Sequence, residues 1–133
     1  MPLELLKIGL IEPNTERFSF LLGLLPQYGA EVSLQATNTK FALQSIGDTK
    51  VADLAGAFIG NVGGSLREMQ SVVNVLRDKY PQSYLIAVVQ SAKFKFSNHD
   101  YKIQYDELNR STLDFLMNNI KRRHIDNLKN MTD

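Results

Sequence analysis

The chain has no cysteine, only four prolines among its 133 residues, and no apolar run longer than a few residues. Without cysteine there are no disulfides, no thiolate chemistry and no cysteine-ligated zinc. This fits a reducing compartment, and a cytoplasmic location is expected. Short apolar runs fall well below the roughly 20 residues that a helix needs to cross a bilayer. The opening Met1 to Leu6 carries Glu4 and lacks a basic start, a long apolar stretch and a cleavage site. Neither export nor membrane anchoring is therefore expected. Charge of one sign is lacking too: 15 basic against 14 acidic residues leave a net charge of +1. That balance excludes a global electrostatic case for nucleic acid or an anionic membrane. Two isolated histidines, His99 and His124, have no acid-rich or cysteine partner nearby, and no metal site is expected.

What remains is a chain whose apolar and charged shares, 44% and 22%, are those of a folded domain. Its length suits a single core. Ile8 to Ile11 is an apolar strand closed by Pro13. Asn14 caps the helix that follows, with Glu16 in its first turn and Phe18, Leu21, Leu22 and Leu25 at helical spacing; Pro26 and Gly29 close it. Val32, Leu34 and Ala36 alternate as an outer strand. Asn38 opens a short helix with Ala42, Leu43 and Ile46 inward, expected to stop at Gly47. Leu54 to Ile59 reads as the third strand. Ser65 and Glu68 form a capping box before the stripe Met69, Val72, Val73, Leu76. Leu85 to Val89 is a continuous run suited to a central parallel strand. A fifth strand is expected near Lys102 to Tyr105. Asn109 or Ser111 caps a last helix facing inward through Leu113, Leu116, Met117 and Ile120.

Strands alternating with helices predict an α/β, flavodoxin-like, three-layer, doubly wound parallel sheet of five strands in the order 2-1-3-4-5. One helix is missing from that plan. Between the fourth and fifth strands only AKFKFSNHDY is available, without a helical stripe, so the helix there is expected to be shortened or lost. Phe94 and Phe96 alternate with Lys93 and Lys95, as in an extended segment.

The strand ends read IGLIEPN, AFIGN, VVQS and QYDE. This layout resembles a CheY-like two-component receiver domain, which places two acids, a phosphoacceptor Asp, a Ser or Thr and a Lys at those four ends. Glu12 and Ser91 match. Pro13 stands where the second acid is needed and has no side-chain ligand, Gly60 and Asn61 flank the phosphoacceptor position, and Gln104 or Asp106 falls at the Lys. The resemblance therefore implies a degenerate (pseudo-)receiver of the response-regulator superfamily that does not accept a phosphoryl group. Ile8 to Arg17 (IGLIEPNTER), Phe58 to Gly64 (FIGNVGG) and Tyr105 to Arg123 are most similar to the N-terminal domain of FleQ-type sigma-54-dependent flagellar transcriptional regulators. A second family with similar degenerate receivers is fused ahead of pilus-assembly ATPases that act in polar localisation.

Several sharper readings have plainer rivals. Glu12 by itself reads as a solvated loop acid. The turn Gly60 to Gly64 before a capped helix resembles an anion site but lacks the Lys-Ser/Thr ending of a phosphate loop, and reads as a tight turn. The cluster Lys121, Arg122, Arg123 and His124 complements a helix C-terminus. Phe115 lies off the inward stripe, either as an exposed anchor or packed under the segment around Phe94.

Residues 1–124 are expected to form the receiver-like domain, with 125–133 a helical extension or linker. The expected role is regulatory, non-enzymatic and free of cofactors. The domain would act by homodimerisation, or by contact with an ATPase or DNA-binding domain of the same longer protein. No direct nucleic-acid or membrane contact is expected. Phe94, Phe96, Phe115, Asn118 and Lys121 are the expected interface. The alternative is a small-ligand or anion sensor built on Glu12, Asn61 and Ser91.

Overall fold

The structure, a computed structural model, describes residues 5–60, 65–91 and 93–131. Asn61, Val62, Gly63, Gly64 and Ala92 lie outside the described residues, so the turn expected after Gly60 is not characterised beyond its first residue.

The strands are β1 (Leu6–Ile11), β2 (Ala30–Ala36), β3 (Gly56–Ile59), β4 (Tyr84–Val89) and β5 (Tyr101–Gln104). All pair in parallel, in the order β2-β1-β3-β4-β5. The helices are α1 (Thr15–Leu24), α2 (Thr39–Asp48), α3 (Leu66–Lys79) and α4 (Arg110–Met131). Three-residue and four-residue 3-10 turns follow β5 and α1.

Two apolar layers enclose the sheet because successive strand side chains point to opposite faces. In β4, Tyr84, Ile86 and Val88 pack with Leu21, Leu24 and Leu25 from α1 and its turn, and with Leu113, Leu116, Met117 and Ile120 of α4. Leu85, Ala87 and Val89 face the other way, onto Ala42 and Ile46 of α2 and Met69, Val72, Val73 and Leu76 of α3. Every β4 residue is buried, as its continuous apolar run requires. Gly56 lets α4 come close: a Cβ there would stand 3.0 Å from Ile120 Cδ1 and 2.8 Å from the Tyr84 carbonyl oxygen.

The caps fall where expected. Asn14 Oδ1 accepts from the Arg17 amide at 2.9 Å, Asn38 Oδ1 from the Phe41 amide at 2.9 Å, and Ser65 Oγ from the Glu68 amide at 3.2 Å. Asn109, rather than Ser111, caps α4 and exchanges hydrogen bonds with Thr112.

Four expectations are corrected. Leu22 is exposed on α1, and Leu24 takes its inward place because the chain tightens into the 3-10 turn at Leu25. Gly47 does not stop α2; the helix continues to Asp48, and Lys79 Nζ donates to the carbonyls of Ile46 and Thr49 at its end. β3 begins at Gly56 rather than Leu54, although the Ala55 amide already bonds to the Lys7 carbonyl at 2.8 Å. β5 spans Tyr101–Gln104, one residue earlier than expected at its end, because Tyr105 turns into the 3-10 segment.

No helix lies between β4 and β5 among the described residues. The connection instead runs along α3 as an extended strap. Gln70 exchanges two hydrogen bonds with the Ser97 backbone, at 2.8 and 2.9 Å. Asn74 Oδ1 accepts from Asn98 Nδ2 at 2.8 Å. Arg77 Nε donates to the Asn98 carbonyl at 2.9 Å. These three residues recur at helical spacing, so one stripe of α3 holds the second half of the strap, while Lys102 Nζ donates to the Phe94 carbonyl at 2.7 Å. Phe94 and Phe96 turn half-buried into the α2–α3 layer, while Lys93 and Lys95 point outward.

Candidate functional site

Parallel strands bring β1, β3 and β4 to a common edge at their carboxyl ends, where an open α/β sheet places its ligand sites. Glu12 follows β1 directly and is 1% exposed. It is not a solvated acid. Its Oε1 accepts from Arg17 Nε at 2.8 Å, and its Oε2 accepts from the Asn14 amide at 3.2 Å. Arg17 sits in the first turn of α1, placed there by the Asn14 cap. Its guanidinium carbon also lies 3.6 Å from the centre of the Tyr105 ring, a close cation–π contact. Tyr105 opens the 3-10 turn after β5. One arginine thus ties the end of β1 to the end of β5.

Gly60, the first residue after β3, is buried against Glu12. A Cβ at position 60 would stand 2.5 Å from Glu12 Oε2 and 2.8 Å from its carboxyl carbon. A Cβ that close would force the Glu12 carboxylate to move. The carboxylate of Glu12 therefore occupies the space into which a side chain on residue 60 would project. This local arrangement has charge of both signs, but the charges satisfy each other.

Among the described residues, no hydrogen bond joins Ser91 or Asp106 to Glu12. Pro13 is half-buried beside Glu12 and offers no ligand. Ser91 accepts the Lys93 amide at 3.2 Å and starts the strap; no hydrogen bond joins it to Glu12. Gln104 ends β5 opposite Val89, whereas Asp106 is exposed in the turn beyond. Asn61 lies outside the described residues. Arg17 and Tyr105 are the partners that sequence reasoning missed. Their contact joins residues far apart in the chain, and only the Asn14 cap hinted that Arg17 would be held at this edge.

The expected interface residues fall on two different layers. Phe94 and Phe96 belong to the strap on the α3 side. Phe115, Asn118 and Lys121 lie on α4, across the sheet. Phe115 is 49% exposed and rests edge-on against Tyr101, with ring centres 5.6 Å apart, not under Phe94. Within the basic cluster, Arg123 is engaged: its Nη2 donates to Asp100 Oδ1 at 3.1 Å. His99 packs edge-on against Phe96, and His124 is half-buried on α4.

Asp100 is a second charged centre, at the amino end of β5. Its Oδ2 accepts from Arg77 at 2.7 Å and from the Leu85 amide at 2.8 Å. Burial alone would raise its pKa. The Leu85 amide, the Arg77 hydrogen bond, and the charges of Arg77 and Arg123 outweigh burial and hold the carboxyl below its ordinary value of 3.8. Arginines from α3 and α4, on opposite faces of the sheet, thus meet on one carboxylate. A cavity of about 420 Å³ lies nearby, at the end of the sheet away from Glu12, between Tyr80, Pro81 and Leu128. No group of three or more metal-ligating side chains occurs among the described residues. Nor is any described helix long and apolar enough to cross a membrane.

No protein-family model matches the sequence, and no curated protein is similar enough to count as a relative. Solved structures match in shape. A receiver domain protein (CheY-like) from Methanospirillum hungatei superposes with a TM-score of 0.74 at 16% identity, over 92% of this chain and 98% of that one. The fold is that of a CheY-like receiver domain. TrrA, a response regulator from Thermotoga maritima in complex with magnesium and beryllium fluoride, is similar at TM-score 0.70 and 14% identity, over 87% and 99%. A structure described as an adenylate cyclase from Rhodopirellula baltica matches at 0.73 and 12%, over 96% of both chains. At these identities the likeness is one of fold.

Proposed function

We propose that this chain is a non-enzymatic, receiver-like regulatory domain that transmits information by protein–protein contact and takes no phosphoryl group. The observation that carries the reading is the fit of Glu12 against Gly60, with Arg17 bound to Glu12 and stacked on Tyr105. Phosphotransfer of the receiver kind needs a carboxylate nucleophile and a metal held by further carboxylates. Here residue 60 has no side chain, and the acid that follows β1, Glu12, is paired with an arginine of the same chain. The cation is built in.

The finer part of the proposal concerns context. The segments IGLIEPNTER, FIGNVGG and Tyr105 to Arg123 support a place at the N-terminus of a FleQ-type sigma-54-dependent flagellar regulator. The domain would there bias its own dimerisation or a neighbouring ATPase domain. A place ahead of a pilus-assembly ATPase would use the same chemistry. A ligand sensor built on Glu12, Asn61 and Ser91 draws less support, because both oxygens of Glu12 accept from local partners and Ser91 Oγ accepts from the Lys93 amide.

Intact-mass spectrometry after incubation with acetyl phosphate and magnesium tests the proposal. The mass and the amide NMR spectrum are expected to stay unchanged, also with beryllium fluoride. A phosphorylated species, or shifts centred on Glu12 and Gly60, would overturn it.

A further inference from the structure

α4 carries two stripes. The inward one is Leu113, Leu116, Met117 and Ile120, all fully buried. The outward one is Ser111, Phe115, Asn118, Arg122 and Ile125, all exposed, and it follows the alternating four-and-three spacing of a two-helix seam. Phe115 and Ile125 are about half exposed, at 49% and 51%. Neither Asn118 nor Arg122 has a hydrogen-bond partner among the described residues. Phe115 is already braced by Tyr101, so little side-chain freedom would be lost when it is covered.

We infer that a second copy of this chain covers that stripe, with the two α4 helices antiparallel about a two-fold axis level with Ile120. This rests on the reading of the domain as one that works by contact, and specifies the partner. The stagger follows from the residues. Phe115 and Ile125 each lie five positions from Ile120, and Asn118 and Arg122 each lie two. An antiparallel pair centred there sets Phe115 against the partner's Ile125, apolar on apolar. It also sets Asn118 against the partner's Arg122, an amide oxygen facing a guanidinium. A parallel, in-register pair would instead stack Arg122 on the partner's Arg122 and leave Phe115 opposite its own kind. Self-complementarity of this sort is what a two-fold interface demands, since the same patch must serve both sides. Like charges opposed at helix-packing distance disfavour the parallel form.

The absence of cysteine makes the orientation directly measurable. Phe115→Cys and Ile125→Cys variants, prepared singly and mixed under mild oxidation, are expected to give mainly the mixed disulfide. In the antiparallel form, two copies of residue 125 lie ten positions apart along the seam, about 15 Å by helical rise, beyond disulfide reach. Sedimentation equilibrium reads the strength. Phe115→Asp should raise the dimer Kd at least about tenfold with an unchanged far-UV circular dichroism spectrum, whereas Asn118→Asp, facing the partner's Arg122, should lower it. Rapid disulfide formation by Ile125→Cys alone would overturn the antiparallel geometry. A dimer indifferent to Phe115→Asp, or a monomer at every concentration, would overturn the seam. In those cases the unchanged mass with acetyl phosphate would still stand or fall by itself, so failure of the seam and failure of the proposed function are separable.

Discussion

Gly60 and Glu12 form the contact on which the functional reading depends, and it is a steric claim before it is an electrostatic one. A methyl group at residue 60 would press on a carboxylate that Arg17 and the Asn14 amide hold from two sides. To yield, it must lengthen or break at least one of those two hydrogen bonds. Gly60→Ala should therefore cost about 1–3 kcal/mol, the usual range for overpacking a buried site. In a Glu12→Ala background the same change should cost much less. Urea titration of the four proteins measures the coupling, expected at about 1 kcal/mol or more. Equal costs in both backgrounds would mean that the carboxylate does not fill this space. At this scale the sequence was a partial guide. It showed that Pro13 has no ligand and that residue 60 has no nucleophile. The burial of Glu12 was not legible, because the cation that permits it comes from the next element and is braced by the ring of Tyr105, near the other end of the chain.

At the scale of elements, the connection between β4 and β5 is a strap without a helix among its described residues, held along α3 and also by Lys102 and Arg123. Gln70, Asn74 and Arg77 grip its backbone and Asn98, and Asp100 then locks its far end to both Arg77 and Arg123. Asp100 has a carboxyl pKa below the ordinary value, so the folded state prefers the ionised form. Its contribution to stability is present above the unfolded pKa, near 4, and is lost as pH falls through the lower folded value. The urea midpoint should fall over this acid range in the native protein. Asp100→Asn should lower the unfolding free energy at neutral pH by about 1–3 kcal/mol, and flatten the acid limb. An acid limb of unchanged steepness in that variant would assign the pH dependence to other carboxylates. The missing helix was legible, because AKFKFSNHDY has neither an apolar stripe at helical spacing nor enough length. The grip of α3 on the strap was not, since Gln70, Asn74 and Arg77 read in sequence as an ordinary solvated face.

The whole molecule is one sheet shared by two apolar layers, and β4 belongs to both. Leu85→Ala empties the α2–α3 layer and Ile86→Ala the α1–α4 layer. Each should cost about 2–5 kcal/mol, the range for cavities of this kind. Because the layers share their strands, far-UV circular dichroism and tyrosine fluorescence should report a single coincident transition in both variants. Separated transitions would mean that the two layers unfold independently.

Strand order, the four helices and most of the core were determined by the sequence itself. Apolar periodicity and local caps act over a few residues, and parallel strands leave few ways to connect them. Which residues stand at the four strand ends was equally legible. What those residues touch was decided only in three dimensions. Glu12 meets Arg17 and Gly60, Arg17 meets Tyr105, and Asp100 meets two arginines from opposite faces of the sheet. Each of these contacts depends on the direction in which a side chain leaves a packed element. Such directions have no periodic signature in the chain; they follow from the way the sheet brings its strand ends together.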